Sequence, residues 1–327
     1  MSAPSVELRA RPGNAHSAPL FSVIVPTYRR HHTLERCVAA LAAQSFPRDR
    51  YEVLIVDDGS GAPPRDVIER YADAMHVRLI EAEHAGPAAA RNRGAAAARG
   101  TYLVFTDDDC IPAPHWLSAF ATAIQSHPDR AVGGAVINAL GDGMCSTASQ
   151  LLVDFLYEYF NADPDGGRFF ITANLAFPAE SFRGTGGFDV TFPLAAAEDR
   201  DMCDRWREHG HEFTYCERAE IHHAHALTLV SFARQHFNYG RGAHHLHLAR
   251  ARRGVEEIVV EPPHFYSRLV SFPFKQGVSV RAFGLSALML LTQMSYAIGY
   301  FTERLRPAPR RVTSSQRPHE EKARAQD

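Results

Sequence analysis

Leu103-Val104-Phe105-Thr106-Asp107-Asp108-Asp109-Cys110 is the stretch on which the reading of this chain turns. Residues suited to a buried strand run straight into three consecutive carboxylates. Buried strands of α/β proteins are near-continuous apolar runs, and ligands collect beyond their carboxyl ends. Three like charges crowded there repel, and a bound divalent cation relieves the repulsion. Asp107 and Asp109 alternate in direction with Asp108, so two of the three can face one ion. The competing reading is a solvated acidic turn.

The flanking sequence repeats the strand-then-polar-loop pattern. Phe21–Val25 reads as a first strand stopped by Pro26, with Thr33 as the expected N-cap of a helix that carries Leu34, Cys37, Val38 and Leu41 on one face. Tyr51–Val56 reads as a second strand ending in Asp57-Asp58-Gly59-Ser60. A helix over Pro64–Met75 and a short strand at Val77–Ile80 follow. Gly86–Gly100 is alanine-rich, a good helix interrupted by Arg91, Asn92 and Arg93. This strand–helix alternation predicts an α/β fold with a mostly parallel sheet flanked by helices. Downstream, further strands are expected at Ala131–Asn138, Phe169–Phe177 (broken at Asn174) and Phe213–Cys216, and helices at Pro112–Ser126, Leu151–Phe160 and, following Glu198-Asp199-Arg200-Asp201, along Met202, Trp206 and His209.

The last third differs in character. Ile221–His225 is a histidine cluster, followed by a helix over Thr228–Tyr239 that Gly240-Arg241-Gly242 is expected to close. Phe283–Phe301 is the most apolar run and is followed by Arg304, Arg306, Arg310 and Arg311. Such a run suits a helix on a membrane surface, a helix packed on the core or at a homodimer interface, or a span. The resulting division is a disordered segment over 1–19, a catalytic domain over 20–220, a helical extension over 221–308 that faces acceptor or membrane, and a disordered tail over 309–327.

Composition narrows the function. The chain has 327 residues, 45% apolar and 22% charged, with a net charge of -2, so it offers no long-range attraction for nucleic acid. Its five cysteines lack metal-ligand spacing and fit a reducing cytoplasm. Pro26 and Thr27 stand where a dinucleotide fingerprint needs glycines.

Six segments, in order, resemble family 2 glycosyltransferases of the GT-A fold. They are Val23-Ile24-Val25-Pro26-Thr27-Tyr28-Arg29-Arg30, Val56-Asp57-Asp58-Gly59-Ser60, Ala90-Arg91-Asn92-Arg93-Gly94, Phe105-Thr106-Asp107-Asp108-Asp109, Gly186-Gly187-Phe188-Asp189 and Glu198-Asp199. The resemblance covers Phe21 to about Cys216. It implies inverting transfer of a sugar from a nucleoside-diphosphate-sugar, most often a UDP-sugar, with Mg²⁺ or Mn²⁺. Pro26, Thr27, Tyr28 and Arg29 would lie near the base, with Asp57 or, preferably, Asp58 reading it and Arg91 lining the pocket. Asp107 would reach ribose or metal, Asp108 would fill the middle of the Asp-x-Asp motif, and Asp109 would ligate the metal. Asp199 would be the general base, supported by Glu198. His223 resembles a late third metal ligand, and His225, Arg234 and Arg241 are candidates for acceptor or phosphate. Plain alternatives stand beside these: a solvated Arg91, acids that merely open a helix, and a surface histidine cluster.

The acceptor implied is a saccharide, a lipid-linked glycan or a small molecule, and the expected location is cytoplasmic, peripheral to the inner face of the membrane. The rival readings are a nucleotidyltransferase of related fold and a non-catalytic sugar- or membrane-binding module. The former would want a Gly-rich basic loop where Pro26–Arg30 stands.

Overall fold

The computed structural model describes residues 18–141, 143–163, 166–192, 196–224, 226–255 and 261–306. The expected segment before residue 18, His225 and the expected tail beyond residue 306 lie outside the described residues.

The first half builds the sheet as its apolar runs dictate. Strands β1 (Phe21–Thr27), β2 (Tyr51–Asp57), β3 (Val77–Glu81) and β4 (Tyr102–Phe105) lie parallel, with β1 between β2 and β4 and β3 outside β2. Helices α1 (His31–Ala42), α2 (Arg65–Tyr71) and α3 (Pro87–Ala97) make the crossovers. β1 and β2 are buried at every position. One layer of core packs Leu34, Val38 and Leu41 of α1 under Val23 and Val53, and the other packs the alanines of α3 against Ile24 and Leu54. α1 begins two residues before Thr33, whose hydroxyl donates back to the Arg30 carbonyl rather than capping the helix.

Beyond β4 the sheet becomes mixed. β5 (Cys110–Pro112), α4 (Trp116–Ser126), β6 (Ala131–Asn138), α5 (Met144–Phe160), β7 (Leu175–Pro178), α6 (Ala179–Gly184), α7 (Glu198–Glu208) and β8 (Phe213–His223) follow in order. The eight strands run β3-β2-β1-β4-β7-β6-β8-β5. The run from Phe169 is broken at Asn174 as expected, and only β7 after it is strand: Asn174 sits in a 3₁₀ turn and is wholly buried. Its side chain accepts from Trp116 Nε1 at 2.8 Å and donates to the carbonyls of Ala135 and Ala219, each at 2.7 Å. The strand expected to end at Cys216 instead reaches His223, crossing an irregularity opposite Gly134 and Ala135. His222 and His223 therefore belong to the sheet, and the helical extension starts after it.

That extension comprises α8 (Leu229–Arg252), α9 (Pro263–Ser271) and α10 (Val280–Arg304). A capping box between Thr228 and Ser231 opens α8. Gly240-Arg241-Gly242 does not close the helix as expected; α8 runs through it for 24 residues. The glycines serve close packing instead. A Cβ on Gly240 would fall 1.9 Å from the Tyr296 carbonyl oxygen of α10, and one on Gly299 would fall 1.9 Å from the Phe237 carbonyl oxygen of α8. The two backbones thus touch reciprocally, and Glu303 then accepts from Arg241 Nε at 2.6 Å and pairs with His245 at 3.2 Å. The apolar run of the sequence lies within α10, long and apolar enough to cross a membrane by composition. Its inner face, including Leu285, Met289, Thr292 and Gly299, is packed within the molecule.

The two-sided glycine contact makes a specific prediction. Gly299→Ala is expected to destabilise the protein by about 1–3 kcal/mol through overpacking against backbone. Gly284→Ala on the same helix meets only the mobile end of Met144 and is expected to be neutral or to gain up to about 1 kcal/mol of helix propensity. Chemical denaturation of both variants checks the contrast; equal effects would contradict it.

Candidate active site

The ends of β1, β2 and β4, the start of α7, the end of β8 and one side of α8 surround a single cleft of about 1590 Å³. Pro26, Thr27, Tyr28, Asp58, Arg91, Asp107, Asp108, Asp109, Glu198, Asp199 and His223 all line it, so most of the residues singled out in the sequence meet in one place. Arg29, Asp57, Arg234 and Arg241 are not among its lining residues.

Arg234 is exposed on the surface of α8, and the other three departures have local causes. Asp57 accepts from Ser60 N at 3.1 Å and shapes the turn after β2, while Asp58 turns into the cleft. The Asp58 carboxylate accepts from the backbone N–H groups of Ala85 at 2.9 Å and Gly86 at 2.8 Å. His84 also reaches it, at 2.9 Å, and its ring stacks on Tyr28 with centroids 4.3 Å apart. Arg29 adopts a left-handed φ of 55° and lies over the outer face of Tyr28, leaving the next residue to enter the site. Arg30 Nη1 donates to Asp108 at 3.2 Å and to Asp109 at 3.1 Å. Arg241 is held by Glu303 on the flank of α8 that meets α10. His84 and Arg30 are the participants that sequence reasoning missed. Arg30 stood inside a quoted motif, whereas His84 is a lone loop histidine with no signal of its own.

The three aspartates divide their work. Asp108, expected as the passive middle residue, is the most enclosed: Thr27 Oγ1 donates to it at 2.8 Å, and it is 4% exposed. Burial pushes its carboxyl up to about 6, against the pull of Thr27 and Arg30. Asp107 accepts from Arg91 Nη2 at 2.8 Å. Asp109 meets His223 Nε2 at 3.1 Å. Burial opposes the charged form of His223, but the bond to Asp109 and the charges of Asp109 and Asp107 outweigh it and raise its pKa.

Asp109, His223 and Cys110 offer ligand atoms within 4.8 Å of one another. Asp107, the other candidate ligand, has its carboxylate turned to Arg91 instead. The thiol of Cys110 is wholly buried, and burial together with Asp107 and Asp109 drives its pKa well above the usual thiol range, so it stays protonated. A carboxylate and an imidazole that can shed its proton remain as donors, a pair able to hold a divalent cation.

Across the cleft, Arg91 joins the two acidic groups. It is 5% exposed and donates through Nη2 to Asp107 and through Nη1 to Glu198 at 3.1 Å. Burial opposes its charge, yet Asp107 and Glu198 together raise its pKa. The neighbouring Asn92 pins the Gly-Gly-Phe-Asp turn, accepting from Phe188 N at 2.9 Å and donating to Phe188 O at 2.7 Å. The Phe188 ring packs edge-on against Phe105 at 5.2 Å and lies under the Arg91 guanidinium at 5.7 Å. Ala197, immediately before α7, has a left-handed φ of 73°, a strained state for alanine that aims Glu198 and Asp199 into the cleft. Burial raises both carboxyls, that of Glu198 to about 7, where Arg91 lowers it and Asp199 raises it further.

The family model described as glycosyl transferase family 2 matches residues 22–184. The chain belongs to that family. Validoxylamine A glucosyltransferase of Streptomyces hygroscopicus subsp. limoneus is 30% identical over 227 residues, covering 61% of this chain and 50% of that protein. The chain spans about half the length of the curated relatives it matches. Among solved structures, the mannosyltransferase PcManGT from Pyrobaculum calidifontis, in complex with GDP-Man and Mn²⁺, superposes with a TM-score of 0.61 at 21% identity, covering 88% of each chain. S. aureus TarS 1-349 in complex with UDP-GlcNAc gives 0.51 at 18% identity, covering 87% of this chain and 90% of that one. These likenesses show the GT-A fold. The matching family model is one of glycosyl transfer rather than nucleotidyl transfer.

The raised carboxyl of Glu198 fixes a pH dependence. A folded-state pKa above the unfolded value of 4.5 favours the fold fully below about 4.5, and that favour is lost as pH rises through about 7. Thermal unfolding of Glu198→Gln and the unaltered chain between pH 5 and 8 is expected to show the variant gaining relative stability as pH rises. A stability difference independent of pH would contradict the assignment.

Proposed function

We propose that this glycosyltransferase moves a sugar from a nucleoside-diphosphate donor, a UDP-sugar in the first instance, to a hydroxyl of a saccharide or lipid-linked acceptor, with inversion at the anomeric carbon. The observation that carries the reading is the sharing of one cleft by Asp107–Asp109 and Asp199, with Arg91 bonded to Asp107 and to Glu198 beside Asp199. The donor half is the rim of Tyr28, His84 and Asp58, where stacked rings and a carboxylate offer a face and an acceptor to a base. Uracil, thymine and guanine each present an N–H to such a carboxylate. The TarS and PcManGT complexes, with UDP-GlcNAc and GDP-Man, support a donor of this class.

Asp109 and His223 would hold the divalent cation. A cation bound there supplies neutralisation of the charge that develops on the leaving diphosphate. Arg30, already against Asp108 and Asp109, adds a second positive charge at the same wall. Asp199 takes the acceptor hydroxyl proton as the oxygen attacks the face of the sugar opposite the diphosphate. Its burial raises the carboxyl, which makes it a stronger base than an exposed aspartate. Glu198, fixed by Arg91, keeps the start of α7 in register with the aspartates of β4.

The test is release of nucleoside diphosphate from UDP-glucose, UDP-GlcNAc and GDP-mannose with Mn²⁺, in the unaltered chain and in Asp199→Asn. Turnover is expected with at least one donor, and the variant should lose about 10²–10⁴-fold in kcat with donor binding retained. Unchanged turnover in Asp199→Asn would remove the base assignment, and no release from any donor would remove the reading.

A further inference from the structure

One face of α10 is left bare. Phe283 is 61% exposed, Leu290 50%, Met294 61%, Ile298 58%, Phe301 55% and Leu305 81%. These positions recur at intervals of three or four, or sums of them, and so fall on one side of the helix, opposite the face that meets α8. With Val278 and Val280 they make up half of the large apolar side chains exposed among the described residues. From Phe283 to Leu305 the stripe extends about 33 Å at the helical rise. A contiguous apolar surface of that length, rather than scattered residues, marks an interaction site.

Charge decides what fits it. Arg281 stands at one end of the stripe, and Arg304 and Arg306 stand at the other. The acid of α10, Glu303, is 9% exposed at its side chain and is turned to Arg241 and His245 of α8, with Arg306 also 3.4 Å away. A second copy laid antiparallel would set Arg281 against Arg304 and Arg306, and a parallel copy would set each arginine against itself. Glu303 is the one carboxylate of α10 and is already shared among Arg241, His245 and Arg306, so neither arrangement brings a further one from this helix to offset the repulsion. An anionic bilayer offsets both ends at once and takes the apolar side chains between them. Ala297, Phe301 and Arg304 also line the cleft that contains Asp109 and Asp199, so the stripe and the cleft share an edge. Crossing the bilayer would strip α10 from α8 and open the contact between Gly240 and Gly299; lying in the interface keeps it.

We infer that the outward face of α10 docks on an anionic membrane surface, with the helix in the plane of the interface. The probe is co-sedimentation with vesicles of phosphatidylcholine alone and of phosphatidylcholine with phosphatidylglycerol, at low and high salt. Binding to the anionic vesicles is expected, weakened by salt, with at least tenfold loss in Met294→Glu/Ile298→Glu and in Arg281→Gln/Arg306→Gln. The first pair is exposed and away from the aspartates, so its unfolding midpoint and Mn²⁺-dependent nucleotide binding should stay unchanged. That control separates a failed membrane contact from a failed transferase reading. Absent binding to anionic vesicles, equal binding to neutral ones, or binding indifferent to Met294→Glu/Ile298→Glu would overturn the inference. A dimer in light scattering that the same double substitution dissociates would assign the face to a second copy instead.

Discussion

The arrangement depends on one buried guanidinium. Arg91 leaves the middle of α3 and reaches two carboxylates that the chain brings from opposite sides of the cleft, Asp107 after β4 and Glu198 at the start of α7. Taking three charged groups from water is costly, and a network of this kind is tolerable only when each member is bonded. Removing the arginine would leave buried Glu198 and the partly exposed Asp107 without their cation, a loss of up to about 3–5 kcal/mol, the figure for a broken buried pair. The same helix holds the Phe188 turn through Asn92, so one short segment sets the distance between the donor-side acids and the proposed base. Two separate motifs of the sequence, Ala-Arg-Asn-Arg-Gly and Gly-Gly-Phe-Asp, are in this sense one physical unit.

Much of this was legible before the structure. The parallel strands announce themselves as apolar runs ending in Thr27, Asp58 and Asp107, because a strand buried on both faces admits little else. What periodicity could not supply is side-chain direction after a strand ends. Arg29 and Arg30 are equivalent in sequence, and only the left-handed turn at Arg29 decides that Arg30 meets the aspartates. Asp107 and Asp109 read as partners for one ion, yet Arg91 claims Asp107 from 16 residues upstream. His84 becomes visible only once its loop has folded over Asp58.

The C-terminal helices show a different limit. Glycine in a helical pattern reads as a stop, and Gly240 and Gly242 read that way. Here their missing side chains admit a neighbouring backbone, a long-range requirement that no local window contains. The consequence is a rigid α8–α10 pair that forms one wall of the cleft and presents its apolar stripe outward. The extension is therefore part of the site rather than an appendage, with Tyr239 of α8 close enough to Asp199, Glu198 and Asp107 to feel their charge.

The most direct measurement is calorimetric titration of UDP, GDP and dTDP, with and without Mn²⁺, on the unaltered chain and on Asp109→Ala. The account predicts metal-dependent binding of at least one of these nucleotides, lost in the variant while the fold is retained. Nucleotide binding that ignores both the metal and Asp109 would contradict it.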